Sequence, residues 1–401
     1  MKKKNLIINI LLLIFALCLI VRTSCSSDGG NKENNGDDWE TKPKLKYEVS
    51  FYNRSRFIDS QEVEEGLFVQ RPDNPDDEED SRFIGWYENA NFTKRFNFNT
   101  PIEKNINLYA RYLNRSYIPI DEEFTFEAPI QGSNIFIEDE NGVRNITIPS
   151  MYVCDHETTQ AEWSKYMKPC NLKTEWKIGD EYPIYNVNWY ECIVYCNLRS
   201  EAEGLMPAYY IVIDGIENYD VYDWITYNDS YLEVDNEGKF SYTKKNTAST
   251  FLDQIKCDIS ANGYRIPTEA EWEFIARGGK NNDATYEPLE KYAWYAGHEK
   301  FLHEVKQLEK NTLGVYDILG NVSEICYDRH GEITSQTDIF GAEGLLCIRR
   351  GGCYTNDKTG TDTGSDGKKY PTGCNITARG QPKAPYTRSQ YGGLRVICTA
   401  N

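Results

Sequence analysis

Residues Asn311–Glu324 read N-T-L-G-V-Y-D-I-L-G-N-V-S-E, and Arg349–Asn356 read R-R-G-G-C-Y-T-N. In the first stretch the turn formers Gly314, Gly320 and Asn321 interleave with Leu313, Val315, Tyr316, Ile318, Leu319 and Val322. That is too apolar for a solvated loop and too rich in turns for one regular element. Gly320-Asn321 is a turn dipeptide, because both residue types tolerate positive φ. A turn there brings Asp317 toward Glu324, with backbone carbonyls between them. Two carboxylates with carbonyl oxygens form the donor set of a hard cation such as Ca2+. The other reading is a buried turn in which Asp317 and Glu324 cap local amides, and spacing alone favours it.

Outward from that stretch, the chain has 401 residues, enough for two or three domains. A hydrophobic content of 40% and an aromatic content of 13% allow a sizeable core. Tyrosine, at 29 residues, suits an extracellular, surface-rich fold. A net charge of −18 excludes nucleic acid as a partner, since nothing is left to neutralise phosphates. It also excludes electrostatic docking to an anionic lipid surface.

The N-terminus reads as a targeting segment over residues 1–24. Lys2, Lys3 and Lys4 precede an apolar run, Leu6–Val21, and Arg22-Thr23-Ser24-Cys25 then gives way to polar residues. This resembles a bacterial lipoprotein signal with Cys25 lipidated, although Arg22 departs from that pattern. A plain signal peptide and an N-terminal anchor helix are the alternatives. Each places the rest of the chain outside the cytoplasm, in the cell envelope, with contact to the membrane only through the anchor. Residues 25–44 then form a disordered tether. Ten further cysteines, Cys154 to Cys398, permit disulfides in an exported chain. Zinc is poorly served: Cys192 and Cys196 have helical spacing but no second close pair, and the four histidines are scattered.

Residues 45–115 form a first unit. Leu45–Tyr52 alternates as a strand, Glu65-Gly66 turns, and Leu67–Val69 begins a second strand. An acidic loop follows, then Phe83–Glu88, a short helical or turn segment, Phe96–Pro101, and the alternating Ile106–Tyr112. Gly85-Trp86-Tyr87, Phe96-x-Phe98-x-Thr100-Pro101 and Ile106-x-Leu108-Tyr109-Ala110 resemble the internalin-type B repeat. The resemblance implies a small β-grasp-like spacer or adhesion module. Asn53-Arg54-Ser55 stands where that family has a Gly-Gly turn. Trp86 is read as core rather than as a ligand platform.

Residues 120–401 form the large unit. Thr158 or Thr159 caps a helix through Trp163, a second helix follows Trp189, and Thr268 with Glu271 forms a capping box. Glu157-Thr158-Thr159, Tyr182–Trp189, Asn262–Phe274, Ala276–Gly279, Gly314–Glu324, Arg350-Gly351-Gly352 and Gly393-Leu394-Arg395 together resemble the formylglycine-generating enzyme (sulfatase-modifying factor) family. The resemblance implies an α+β fold: irregular, related to C-type lectins, with bound calcium. It makes Asp317, Gly320, Val322 and Glu324 calcium ligands and so reverses the balance struck on spacing alone. A connection at about 211–256 is longer than in relatives and reads as an extra surface hairpin.

The departures bear on function. Active members bind copper through two cysteines, the first four residues after the second Gly of R-G-G. Here that position is Asn356, and the polar run at 357–370 holds no cysteine. Cu(I) needs soft thiolates, so copper is not expected. Ser323 and Ile325 replace two tryptophans of the family pattern. The resemblance also suggests a Cys326–Cys374 disulfide. The expected function is non-catalytic adhesion or binding of an extracellular protein or glycan, with Tyr354, Asn356, Tyr370, Tyr386, Arg388 and Tyr391 as candidate ligand-binding residues. The alternative is an oxidase converting a substrate cysteine to formylglycine.

Overall fold

A computed structural model describes residues 44–77, 80–125, 135, 137–227, 229–243, 250–363, 367, 369–371 and 373–400. The signal segment, Cys25 and all but the last tether residue lie outside these residues. Among the described residues no helix is long and apolar enough to cross a membrane.

Four strands, Lys46–Asn53, Arg56–Glu64, Ser81–Tyr87 and Ile106–Asn114, pair in the order second, first, fourth, third. The first and fourth run parallel, with Phe51 opposite Leu108. This is the β-grasp-like order. Alternation turns Val49 and Phe51 inward onto Leu108, Ala110 and Trp86. Trp86 is buried edge-on to Phe51 at 5.1 Å, so it is a core residue. The second strand is Arg56–Glu64, not a segment starting at Leu67. A tight turn with Arg54 at φ 54° replaces the family's glycines and starts that strand early.

In the large unit, Tyr264–Arg265, Ile397–Thr399, Met151–Cys154 and Tyr117–Ile120 form an antiparallel sheet in that order. A second sheet sets Ser323–Arg329 between Cys347–Arg350 and Gly392–Gly393. The helices Gln160–Ser164, Trp189–Ala202, Val221–Trp224 and Glu269–Ala276 pack on them. Short strands and few helices make this the irregular α+β architecture expected. Three helix starts are locally encoded. Thr159 with Glu162, Asn188 with Glu191, and Thr268 with Glu271 each form a complete capping box, and each cap contributes about 1 kcal/mol.

The 211–256 connection corrects the expectation of a surface hairpin. It forms hairpins around the helix Val221–Trp224, and Ile211, Trp224, Phe240 and Leu252 enter the main core beside Trp189–Ala202. Cys326 and Cys374 also differ from expectation: both are free thiols. Both sit in one apolar cluster, but each thiol faces a backbone carbonyl: Cys326 that of Glu324 at 4.0 Å, Cys374 that of Cys353 at 3.4 Å.

Candidate functional site

The loop from Asp317 to Asn321 carries three left-handed residues, with φ of 53° at Asp317, 83° at Gly320 and 45° at Asn321. At Gly320 a Cβ would lie 2.3 Å from the Trp294 carbonyl oxygen, so only glycine fits. The chain then enters the strand Ser323–Arg329. Glu157, quoted only as part of a motif in the sequence, proves to be the anchor of this loop. Its Oε1 accepts from Val322 N at 3.0 Å and its Oε2 from Asn321 Nδ2 at 2.7 Å.

Glu324 is paired with Arg395 at 2.7 Å, both fully buried, and Trp272 Nε1 donates to its other oxygen at 2.8 Å. Arg395 also donates to the carbonyls of Cys154 at 3.0 Å and Tyr316 at 2.7 Å. Asp317 Oδ2 accepts from Lys306 N at 2.7 Å, while Oδ1 is buried with no hydrogen-bond partner among the described residues. Burial raises all three carboxyls against the pull of Arg395, Asp317 to about 6. For Glu157 the charges of Asp317 and Glu324 add to the burial effect. Three buried carboxylates thus share Arg395. An orphaned carboxylate oxygen within an excess of negative charge fits a hard divalent cation centred on Asp317, with the carbonyls of Gly320 and Val322 in the same turn. Glu324 fits less well, because Arg395 and Trp272 already take its acceptor positions.

Arg349–Asn356 lies across this loop. Gly351 O accepts from Gly320 N at 3.0 Å, and Tyr354 N donates to Asn321 O at 2.9 Å. Asn356 closes a turn: Oδ1 accepts from Cys353 N at 3.0 Å and from Cys353 Sγ at 3.1 Å. Burial pushes the Cys353 thiol up, and burial with the neighbouring Cys353 pushes up Cys374. The carboxamide of Asn356 offers no thiolate, so this position does not fit copper.

The six ligand-binding candidates separate. Tyr354 and Tyr391 come together, with their rings at 5.7 Å, while Asn356 turns its side chain to Cys353. Tyr354 is buried against Tyr185, Leu302 and Val322, and Trp176, Tyr182 and the half-buried Tyr391 border that cluster. Lys173 Nζ lies 4.6 Å above the Trp176 ring. The sequence reading missed this aromatic group, although Tyr182 and Tyr185 stand in the quoted Tyr182–Trp189 motif. Arg388 is a correction. It grips buried Glu191 through two bonds of 2.9 and 2.7 Å and also donates to Tyr242 O, so it ties the C-terminal loop to a helix start rather than reaching outward. Tyr386 packs half-buried on the main core. Tyr370 lies in the strand Lys369–Pro371, and its side chain is outside the described residues.

Known proteins share these features. Residues 47–111 match the Listeria-Bacteroides repeat domain. The chain is 31% identical over 211 residues to a Paenibacillus barcinonensis protein named chaperone protein LppX, covering 47% of this chain and 65% of that one. It is 35% identical over 106 residues to serine/threonine-protein kinase pkn1 of Chlamydia pneumoniae, covering 24% of this chain and 17% of the kinase. The chain thus spans less than two thirds of either relative. Treponema denticola variable protein 1 superposes with a TM-score of 0.51 at 26% identity, covering 71% of this chain and 95% of that protein. Residues 122–400, which carry the turn at Gly320, the Glu324–Arg395 pair and the R-G-G segment, match the sulfatase-modifying factor enzyme 1-like domain, and the chain belongs to that family.

Proposed function

We propose that the protein is a lipid-anchored ligand-binding member of this family at the cell envelope, working without copper oxidation. One observation carries the reading. Asn356 stands at the family's first copper position, and its side chain is spent on closing a turn with Cys353. The half-exposed rings of Trp176, Tyr182 and Tyr391, with Lys173 beside them, offer a face for a protein or glycan. The likeness to a protein named as variable and to one named as a chaperone accords with binding rather than turnover. A screen of the protein against glycans and matrix proteins tests it: a saturable ligand lost in Tyr391→Ala supports the reading. Oxygen consumption with a cysteine peptide after copper loading, abolished by Cys353→Ser, overturns it.

Calcium belongs to the same proposal as a stabiliser of the loop, held by Asp317 with the carbonyls of Gly320 and Val322, Glu324 staying with Arg395. At 100 times its Kd, Ca2+ adds about 2.7 kcal/mol of stability. Thermal melts with Ca2+ and with EGTA are expected to differ in the wild type and to coincide in Asp317→Asn. Coincident melts in the wild type would count against calcium.

A further inference from the structure

We propose that Cys154, Asp155 and His156 form a second metal site, for a borderline-soft divalent transition ion of which zinc is the reference. Cys154 ends the strand Met151–Cys154, and the chain bends at the next two residues. Strand alternation would send Asp155 to the opposite face; the bend brings it back. As a result one ligand atom from each of the three residues lies within 4.8 Å of the others.

The spacings suit a tetrahedral ion. Cys154 Sγ lies 3.6 Å from His156 Nδ1. A sulfur at about 2.3 Å and a nitrogen at about 2.05 Å from zinc are about 3.5 Å apart. Asp155 Oδ1 is 2.5 Å from the same Nδ1, a hydrogen bond. The metal takes the place of that shared proton, and the carboxylate moves out by roughly 1 Å to a ligand position. The other ring nitrogen, Nε2, faces Glu162 Oε2 at 3.5 Å. A carboxylate on the far nitrogen orients a metal-bound imidazole. Glu162 is itself fixed, accepting from Thr159 N at 2.9 Å and paired with Arg199 at 3.5 Å.

Two further observations support the site. Tyr117 is the cross-strand partner of Cys154, so the two side chains share a face of the sheet. Its hydroxyl is buried and has no hydrogen-bond partner among the described residues. Water on a bound ion would supply one. Glu162 also lines a cavity of about 340 Å³ with Arg199, Glu203 and Tyr264, so the far side of the His156 ring borders open space. Three protein ligands leave the fourth position to water or an exogenous donor. Thiolate and imidazole select zinc over calcium, which separates this site from the oxygen-rich loop at Asp317.

The test uses the full-length chain, reduced, stripped with a chelator, and titrated with Zn2+ against a chromophoric chelator in excess Ca2+. A parallel titration with Co2+ is followed optically. One zinc per chain that excess Ca2+ does not displace, and a thiolate-to-cobalt charge-transfer band, are expected. Cys154→Ser removes the band. Glu162→Gln keeps the helix cap and the band but weakens zinc binding by about 10- to 100-fold. A band unchanged in Cys154→Ser places the metal on other cysteines and overturns the proposal, as does displacement of zinc by Ca2+. Should Cys154→Ser fail to fold, X-ray absorption on the zinc-loaded wild type decides. One sulfur with an imidazole nitrogen supports the site; no sulfur, or two or more, overturns it.

Discussion

At the scale of single residues, buried charges in this chain are sorted by their partners. Glu269 receives Arg379 through bonds of 2.7 and 2.9 Å and Arg350 at 2.6 Å. Burial raises its carboxyl, but the two guanidinium groups outweigh burial and hold it below the ordinary value. Asp328, whose Oδ2 accepts from Glu269 N at 2.5 Å, is pushed up to about 8, first by burial and then by the charge of Glu269. Its folded value therefore lies above the unfolded one of 3.8. Between about pH 4 and pH 8 the native state holds the extra proton, so this group makes stability fall as pH rises through that window. Asp328→Asn keeps an acceptor for Glu269 N and removes the titration. Urea unfolding at pH 5 and pH 8 is expected to show a flatter pH dependence and a gain of at least about 1 kcal/mol at pH 8. A second expectation concerns Arg388, whose removal leaves Glu191 buried without its cation. Arg388→Ala is expected to cost about 3 kcal/mol, read by the same unfolding curves, whether or not ligand is present. Neither pairing was visible in the sequence. Arg388 stands 197 residues from Glu191, and in an aromatic, polar run it reads as an outward arm. Glu157 was hidden the same way: nothing in E-T-T says that its carboxylate closes a loop 164 residues later. The left-handed pair Gly320-Asn321 was legible, because its cause is local.

At the scale of elements, legibility follows the reach of the signal. Capping boxes lie within four residues and were readable at Thr268 and near Thr159. The strand Arg56–Glu64 was not. It is a sheet edge, largely exposed, and carries Asp59, Glu62 and Glu64 among its apolar residues, so its alternation is weak. Leu67 and Phe68 mimic a strand start because they are apolar, yet both are exposed. The 211–256 connection was misjudged for a related reason: a polar average hides a few residues that decide its place. Trp224 is fully buried, with its Nε1 on Asn218 O at 3.3 Å. Trp224→Ala is expected to destabilise the whole domain by about 3–5 kcal/mol. Ile216→Ala, at a position that is 71% exposed, is expected to change stability by less than about 0.5 kcal/mol. Equal small effects in thermal melts would return the connection to the surface.

At the scale of the whole molecule, the two motif sets marked the repeat and the large unit but not their junction. Lys46–Asn401 forms one compact unit, and the joint is built from groups that look unrelated in the sequence. Arg82 donates to Tyr117 O at 2.6 Å. Arg111, almost wholly buried, has Tyr87 and Phe92 of the repeat and Tyr152 of the large unit around its guanidinium at 5.4, 5.9 and 5.8 Å. Asn262, first residue of the N-G-Y-R-I-P run, donates to Asn91 O at 2.9 Å and to Phe92 O at 2.5 Å, while its own oxygen accepts from Met206 N at 2.9 Å. One buried side chain thus satisfies backbone groups of both units. Removing it takes the partner from three part-buried backbone groups, each at a cost below the about 1–3 kcal/mol of a fully buried one. Part of that cost is recovered if the units part and water enters. Calorimetry of the wild type is therefore expected to show one cooperative transition, and that of Asn262→Ala a repeat that melts first, ahead of a large unit whose own Tm falls as Met206 N loses its acceptor. A single transition at the wild-type Tm would mean that Arg111 and Arg82 hold the joint without Asn262. Two transitions already in the wild type would mean that the units fold independently and that the repeat acts as a spacer rather than as part of the binding domain.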